Sequence, residues 1–239
     1  MELSLVVKKL EELSDRTYRQ GMERFAVPSE NAWGVPMPGI RALAKEIGKD
    51  HKLAEELWKQ GYYEARILAG LIEDPKMVSA GQMEDWVKDF DSWGITDNTC
   101  GNCFDKTSLV YQKAGEWTRR KEEFVKRAGF ALMAYLTVHD KRQPDEVFLS
   151  FLPLIKDASS DKRNFVKKAV SWALREIGKR NIGLNGKAIA CAKEIEALDA
   201  PSARWIARDA LCELQSNEVK VRLKRKKLNQ ELSEKIQRR

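Results

Sequence analysis

Trp93 and Asp97 are the first residues of this chain whose types and spacing suggest chemistry. In a helix, residues four positions apart lie side by side on one face, so these two side chains would be neighbours. A carboxylate stabilises positive charge that develops in a reaction, and the face of a tryptophan ring attracts cations. The pair is therefore a candidate site for a reaction that passes through a cationic state.

The residues around this pair are unusually small and polar. Gly94 and Gly101 both fall within the predicted helix, and each glycine costs about 1 kcal/mol there relative to alanine. This cost indicates that another group approaches the helix closely. The alternative interpretation is a plain helix start, capped by Ser92 or Asp91, with Asp97 in solvent.

A second unusual stretch runs from Asn164 to Arg180 and predicts an amphipathic helix. Its apolar residues recur at helical spacing and form a core-facing stripe, consisting of Val166, Ala169, Val170, Ala173, Leu174 and Ile177. A second stripe, roughly opposite, places Trp172 among three cations, Lys168, Arg175 and Lys179. This stripe is either an aromatic platform in a nucleic-acid-binding surface or a tryptophan packed on a neighbouring helix beside solvated cations.

The net charge of +7 is distributed unevenly along the chain. Residues 1–118 carry 15 basic and 20 acidic side chains, whereas residues 119–180 carry 15 and 8. Residues 181–215 carry 4 and 5, and residues 216–239 carry 9 and 3, with Lys224-Arg225-Lys226-Lys227 in their midst. Such asymmetry favours a polyanionic partner.

Composition indicates a folded protein. Of the 239 residues 43% are hydrophobic and seven are tryptophan, which is typical of a globular chain. No apolar run approaches the roughly 20 residues of a membrane span, and the N-terminus lacks a signal-peptide pattern. We therefore expect a cytoplasmic protein with no membrane partner, associated with the nucleoid if the source is prokaryotic.

The cysteines do not suggest a disulfide scaffold or a metal centre. Cys100 and Cys103 form a Cys-x-x-Cys pair, but Cys191 and Cys212 stand alone. A zinc site usually needs a second closely spaced ligand pair, which is missing here. We predict that the cysteines are small buried helix residues and that the protein uses no metal and no cofactor.

Nearly the whole chain predicts helix, and strand patterns are absent. The predicted helices are Glu2–Phe25, Gly39–His51, Lys52–Gln60, Tyr62–Glu73, Ser79–Phe90, Ser92–Phe104, Ser108–Glu116, Arg120–Val138, Asp145–Lys156, Asp161–Arg180, Asn185–Leu198, Ala200–Gln215 and Asn217 to about Lys227. Ser79 is a predicted N-cap.

A weak internal repeat suggests how these helices are arranged. Similar segments begin at Lys126, Lys167 and Ala203, at intervals of about 40 residues, a period found in HEAT and armadillo repeats. We predict an all-α fold, an α-solenoid of HEAT-like helix pairs with a concave basic face; a helical bundle is the alternative. One domain is expected over 1–228, followed by a basic tail over 229–239 that is either frayed helix or disordered.

Taken together, the two stretches suggest glycosidic bond cleavage. A carboxylate in a cationic groove that binds phosphates needs a reason, because it repels them. Cleavage of an N-glycosidic bond passes through an oxocarbenium-like state, which a carboxylate stabilises while it positions the attacking water.

The motifs also resemble a known family. Ser92-Trp93-x3-Asp97, then Lys126-Arg127-Ala128, then Phe165-Val166-Lys167-Lys168-Ala169-x2-Trp172-x-Leu174-Arg175-Glu176 resemble the AlkD-type DNA alkylation repair glycosylases, which consist of HEAT-like repeats. The resemblance spans roughly residues 18 to 215. Near the N-terminus, Gln20-Gly21-Met22 stands where that family often has an aromatic residue, and Tyr18 is the nearest candidate for that role.

The resemblance implies an activity and assigns roles to residues. It implies a monofunctional, metal-free glycosylase that releases cationic alkylated purines, such as 3-methyladenine and 7-methylguanine, from double-stranded DNA. Asp97, Trp93 and Trp172 would form the catalytic site, and Arg127 would contact the DNA backbone. Further DNA contacts are expected from Lys126, Lys168, Arg175 and Lys179, and a monomer is expected.

Two other functions remain open at this point. A protein on the same scaffold could bind DNA structures without cleaving them. A HEAT-repeat scaffold could also bind other proteins, in which case the cations named above would be scattered over different surfaces.

Overall fold

Helices account for all the regular structure in residues 1–237, the part of the chain that the computed structural model describes. The side chains of residues 230, 231 and 233–237 are not described, and residues 238 and 239 lie outside it. The chain divides into two compact units, Met1–Lys113 and Ala114–Arg239. The predicted single domain over 1–228 stays a prediction, as does the concave basic face.

The first unit, which is described throughout, contains seven α-helices before the boundary. They are α1 (Leu3–Glu12), α2 (Arg16–Met22), α3 (Met37–Ile47), α4 (His51–Trp58), α5 (Tyr63–Ile72), α6 (Ala80–Lys88) and α7 (Trp93–Asn102), and the boundary falls within α8 (Val110–Trp117). Helix α5 is the centre of this unit, since it packs against α1, α3, α4 and α7 and most of its residues are buried.

The second unit contains the remaining described helices. They are α9 (Glu123–His139), α10 (Asp145–Leu149), α11 (Phe151–Ala158), α12 (Asn164–Gly178), α13 (Ile182–Glu196), α14 (Pro201–Leu214) and α15 (Asn217–Gln237). Helix α12 packs against α9, α11, α13 and α14. The helices α9, α12 and α14 carry the three repeated segments and begin about 40 residues apart, so the predicted all-α fold of HEAT-like repeats is confirmed.

Two predicted helices are wrong because each is broken. The segment 2–25 is α1 followed by α2 and the 3₁₀ turn Glu23–Phe25, since the Asp15 side chain accepts from the amides of Thr17 and Tyr18 and starts a new helix. The segment 145–156 is interrupted at Ser150, between α10 and α11.

Several other helix boundaries also differ from the prediction. Helix α13 begins at Ile182 rather than Asn185, because the side chain of Asn181 accepts from the amide of Leu184. Helix α15 runs through Gln237, beyond the end predicted near Lys227, and the predicted tail over 229–239 ends outside the described residues.

A buried carboxylate fixes the loop that precedes α3. Glu64, on α5, has no solvent exposure, and its oxygens accept from the amides of Trp33, Gly34 and Val35 at 2.9, 2.7 and 3.1 Å. These bonds compensate for the cost of burying the charge. Gly34 has a φ of 83° in this loop, and a Cβ there would lie 2.4 Å from the Asp15 carbonyl oxygen.

Candidate functional site

Helix α7 places the predicted catalytic pair. Ser92 caps it by accepting from the amide of Ile95, and the helix begins at Trp93. Trp93 and Asp97 therefore lie one turn apart on the same face, as the sequence predicts, and both are half-buried.

The Trp93 ring is held in place by the loop that follows α2. Its indole N–H donates to the carbonyl oxygen of Phe25 at 2.7 Å. Trp93 and Tyr63 also pack against a small buried cluster of Met22, Val27 and Ala32. The orientation of the ring is thus set by residues almost 70 positions away in the sequence.

Gly94 allows a close approach that the sequence indicated. A Cβ at position 94 would lie 2.3 Å from the Tyr63 hydroxyl oxygen, so only glycine fits there without movement. Burial raises the pKa of Tyr63, and the negative charges of Glu64, Asp91 and Asp97 contribute. Tyr63 is consequently a neutral hydroxyl, able to donate, beside α7.

A cavity of about 390 Å³ lies against these side chains. It is lined mostly by apolar and aromatic groups, namely Tyr18, Gly21, Met22, Phe25, Val27, Met37, Arg41, Tyr63, Trp93, Gly94 and Asn98. Its size and lining are typical of a site for a small organic group. Tyr63 and Phe25 were not predicted from the sequence as site residues, and the glycine at position 94 was the signal for Tyr63.

Trp172 lies in the second unit, on α12. The predicted core stripe of this helix is confirmed, since all six of its residues are fully buried. Trp172 is half-buried and packs edge-on against Tyr135 of α9, with ring centroids 5.1 Å apart. A neighbouring exposed ring, Trp205 of α14, lies under the Lys167 ammonium at 4.5 Å.

Arg175 and Lys179, two cations of the predicted basic stripe, form ion pairs with carboxylates of α14 and α12. Arg175 pairs with Glu213 and lies 3.3 Å from Asp209, and Lys179 lies 2.7 Å from Glu213 and 2.8 Å from Glu176. The charges of Arg175 and Lys179 are therefore partly compensated within the protein. Lys168 is exposed.

The two cations predicted on α9 also have partners within the second unit. Arg127 is only 6% exposed and donates to the carbonyl oxygen of Phe165 at 2.8 Å. Lys126 lies 3.1 Å from Asp161, and the pKa of Asp161 is held well below its usual range, chiefly by hydrogen bonding to Arg163. These bonds join α9 to α12 and to the residues before it.

The structure thus describes the predicted site in two parts. Trp93 and Asp97 belong to the first unit, and Trp172, Arg127, Lys126, Lys168, Arg175 and Lys179 belong to the second. The convergence of the two parts stays a prediction, as do the roles of the individual residues.

The cysteines behave largely as predicted. Cys100, Cys103 and Cys191 are buried, and burial raises the pKa of the Cys103 and Cys191 thiols. Cys212 is exposed, contrary to the prediction, because it faces outward from α14. Within the described residues, no group of three or more His, Cys, Asp or Glu side chains could hold a metal ion. None of the described helices has the length and apolar character of a membrane span.

Comparison with known proteins identifies the family. A family described as "DNA alkylation repair enzyme" matches residues 6–214, which is most of the chain. This chain belongs to the DNA alkylation repair enzyme family. The family resemblance inferred from the sequence motifs is thereby confirmed.

Solved structures support the fold of this DNA alkylation repair family member. The chain is similar to a protein described as "a new family of proteins related to the HEAT-like repeat DNA glycosylases with affinity for branched DNA structures". The TM-score is 0.75 at 22% identity, over 87% of this chain and 94% of that one.

A designed armadillo repeat protein in complex with the peptide (KR)4 also matches. Its TM-score is 0.39 at 14% identity, over 94% of this chain and 87% of that one. No curated protein matches the chain.

Proposed function

We propose that this DNA alkylation repair enzyme hydrolyses the N-glycosidic bond of cationic alkylated purines, 3-methyladenine and 7-methylguanine, in double-stranded DNA. The observation that supports this most is the pair on α7. A half-buried carboxylate, Asp97, lies one helical turn from Trp93, whose ring is fixed by its bond to Phe25. Such a pair suits a reaction in which positive charge moves from a base to a sugar.

The proposed reaction is a displacement at the sugar by water. The bond between the purine nitrogen and C1′ breaks, its electron pair leaves with the base, and the base departs uncharged. The sugar passes through an oxocarbenium-like state that the Asp97 carboxylate stabilises. Water bonds to C1′ and gives its proton to Asp97 or to solvent, which leaves an abasic site.

The aromatic residues would recognise the charge of the damaged base. A cation over a tryptophan face gains about 0.5–2 kcal/mol, so Trp93 would favour an alkylated purine over a neutral one. Trp172 is proposed as a further aromatic contact. Arg127, Lys126, Lys168, Arg175 and Lys179 are proposed DNA contacts, although most of them also have partners within the protein.

A second candidate function is DNA-structure binding without base release. It is favoured by the structural neighbour, which is described as having affinity for branched DNA structures.

Base release by the purified protein distinguishes the two functions. Methylated duplex DNA is incubated with the protein in the presence of a chelator, and released bases are quantified by mass spectrometry. The proposal predicts free 3-methyladenine or 7-methylguanine together with abasic sites. Tight, salt-sensitive binding to a four-way junction with no released base would overturn it in favour of the second function.

The oligomeric state, cofactor requirement and location of the protein are also proposed. We propose that it acts as a monomer without metal or cofactor, in the cytoplasm and, in a prokaryote, on the nucleoid. Release that continues undiminished in the chelator supports the metal-free mechanism.

A further inference from the structure

Helix α15 lies beyond the part of the chain that the family matches. The family match ends at residue 214, and α15 begins at Asn217. Val219 and Leu223 are buried, and the helix packs against α13 and α14. The remaining described positions include six cations, Lys220, Arg222, Lys224, Arg225, Lys226 and Lys227.

One of these cations, Lys226, binds carbonyl oxygens at the C-terminal end of α12. The Lys226 ammonium donates to the carbonyl oxygens of Lys179 at 2.9 Å and Arg180 at 3.4 Å. These carbonyls follow the last turn of α12, where the helix dipole favours positive charge. Lys226 therefore has a structural role that needs no ligand.

Arg180 is also fixed by the protein. Its guanidinium donates to the carbonyl oxygens of Thr137 at 2.8 Å and Gln143 at 3.1 Å, and it lies 4.0 Å from the centroid of the Phe148 ring. These contacts hold a positive charge rigidly between the end of α9, the loop after it and α10.

Two more cations, Lys141 and Arg222, complete the group. Burial lowers the pKa of Lys226, and the charges of Arg222, Lys141 and Arg180 lower it further. Burial likewise lowers the pKa of Lys141, with further lowering by Arg180 and Arg222. Arg222 lies one helical turn before Lys226 on α15, and Lys141 lies in the chain between Thr137 and Gln143, whose carbonyl oxygens accept from Arg180. The pKa directions agree with this placement, and Glu176, which pairs with Lys179, is the acidic group that acts on both lysines.

Lys141 and Arg222 differ from the other two because Lys226 and Arg180 donate to backbone carbonyl oxygens, whereas Lys141 and Arg222 face solvent. Both are exposed, and no described carboxylate lies within salt-bridge distance of either. Four cations near one another repel, and an anion bound between them would relieve that repulsion.

We propose that Lys141 and Arg222, backed by Arg180 and Lys226, bind a backbone phosphate of DNA. This site belongs to α15 and to the loop between α9 and α10. Two of its four cations, Arg222 and Lys226, lie beyond the family-matched residues 6–214. The inference rests on DNA as the partner of the protein, and not on base release.

The salt dependence of DNA binding tests this site. Each phosphate contact contributes about 0.9 to the slope of log Kobs against log salt concentration. The double variant Lys141→Ala/Arg222→Ala is expected to reduce that slope by about 0.9 with undamaged duplex, and by up to about 1.8 if each cation contacts its own phosphate. Fluorescence anisotropy between about 50 and 200 mM salt measures it.

The matched control also removes two positive charges, but from the side of α15 opposite Arg222. In helical projection Lys220 and Lys224 point away from Arg222, and both are exposed. Lys220→Ala/Lys224→Ala should leave the slope close to that of the wild type. Arg222→Lys should retain it as well, because the charge is kept.

The inference is overturned by either of two results. An unchanged slope for Lys141→Ala/Arg222→Ala would show that these residues do not contact a phosphate. An equal decrease of the slope in the control variant would show only that a basic helix attracts DNA in general. Undamaged DNA is the ligand, so the outcome is independent of whether the protein releases bases.

Discussion

At the scale of single residues, the position of Tyr63 depends on the absence of a side chain at Gly94. The hydroxyl of Tyr63 occupies the space where a Cβ would be, next to Trp93 on α7. Gly94 thus brings a hydroxyl group to the helix that carries Asp97. The glycine is costly for the helix itself, so its presence is explained by this contact.

Gly94→Ala is expected to destabilise the protein. The new methyl group would lie 2.3 Å from the Tyr63 hydroxyl oxygen, and overpacking of this kind typically costs about 1–3 kcal/mol. Urea unfolding of the variant should show a lower free energy of unfolding.

Two further variants control this experiment. A methyl group added at Gly186, within α13, would meet no neighbouring atom within 4 Å, so Gly186→Ala should stabilise by about 0.5–1 kcal/mol. Tyr63→Phe added to Gly94→Ala should recover part of the loss, because it removes the nearest atom. Equal stability of Gly94→Ala and wild type would contradict the account.

At the scale of helices, a buried carboxylate connects three elements of the first unit. Glu73 follows α5, is fully buried, and accepts from the Gln82 amide of α6 at 2.6 Å. His51 Nδ1, at the start of α4, lies 2.7 Å from its other oxygen. Burial raises the pKa of Glu73, while the hydrogen bond to Glu73 raises the pKa of His51.

This arrangement predicts a loss of stability as pH rises above about 6.5, the usual pKa of histidine. The folded protein binds the proton of His51 more tightly than the unfolded chain does. The stabilisation is therefore complete below the unfolded pKa and is lost as pH rises through the folded pKa. The raised pKa of Glu73 likewise makes the folded protein less stable as pH rises. Because His51 and Glu73 interact directly, they titrate as a coupled pair.

Comparison of wild type with His51→Gln isolates this effect. The difference in their free energies of unfolding should shrink as pH is raised from about 6 to 8, where His51 loses its proton. The other histidine, His139, is present in both proteins and cancels. A difference that stays constant over this range would refute the assignment.

The sequence predicts helices well and their interruptions poorly. The predicted cap at Ser79 is confirmed, and of the two candidates Ser92 and Asp91 the cap is Ser92. Such caps can be predicted because a cap depends on residues two or three positions away. Asp15 and Asn181 are caps of the same kind that were not predicted. The apolar pattern continues across Asp15, and Asn181 lies in the predicted break between two helices.

Long-range polar contacts could not be predicted from local patterns. Glu64 resembles an ordinary polar helix residue, but its three partners are amides about 30 positions earlier. Arg127 resembles a surface cation, but its partner is a carbonyl 38 positions later. Only the packing of the helices determines these pairings.

At the scale of the whole molecule, the charge of the two halves differs in sign. Residues 1–118 have more acidic than basic side chains, and residues 119–180 and 216–239 have the reverse. Attraction to phosphates should therefore come from the C-terminal half, while Asp97 lies in the acidic half. Binding and chemistry are expected to respond to different substitutions.

Lys168→Ala is expected to weaken duplex binding with a shallower salt dependence. Lys168 is an exposed residue of α12 and is proposed to contact one phosphate, so the slope should fall by about 0.9. Lys45→Ala is the control, because Lys45 is equally an exposed helical lysine, on α3. If both variants lose the same affinity, the assignment of binding to the C-terminal half is refuted.

Single-turnover base release by Asp97→Asn tests the central claim most directly. The substitution keeps the size of the side chain and removes the charge that is proposed to stabilise the oxocarbenium-like state. Loss of one such electrostatic contribution typically lowers the rate by about 100-fold or more. Asp85→Asn, an exposed residue of α6, serves as the control.

The account predicts that Asp97→Asn binds methylated duplex DNA as tightly as wild type but releases 3-methyladenine or 7-methylguanine at least about 100-fold more slowly. Asp85→Asn should release them at the wild-type rate. Release by Asp97→Asn at the wild-type rate would contradict the account.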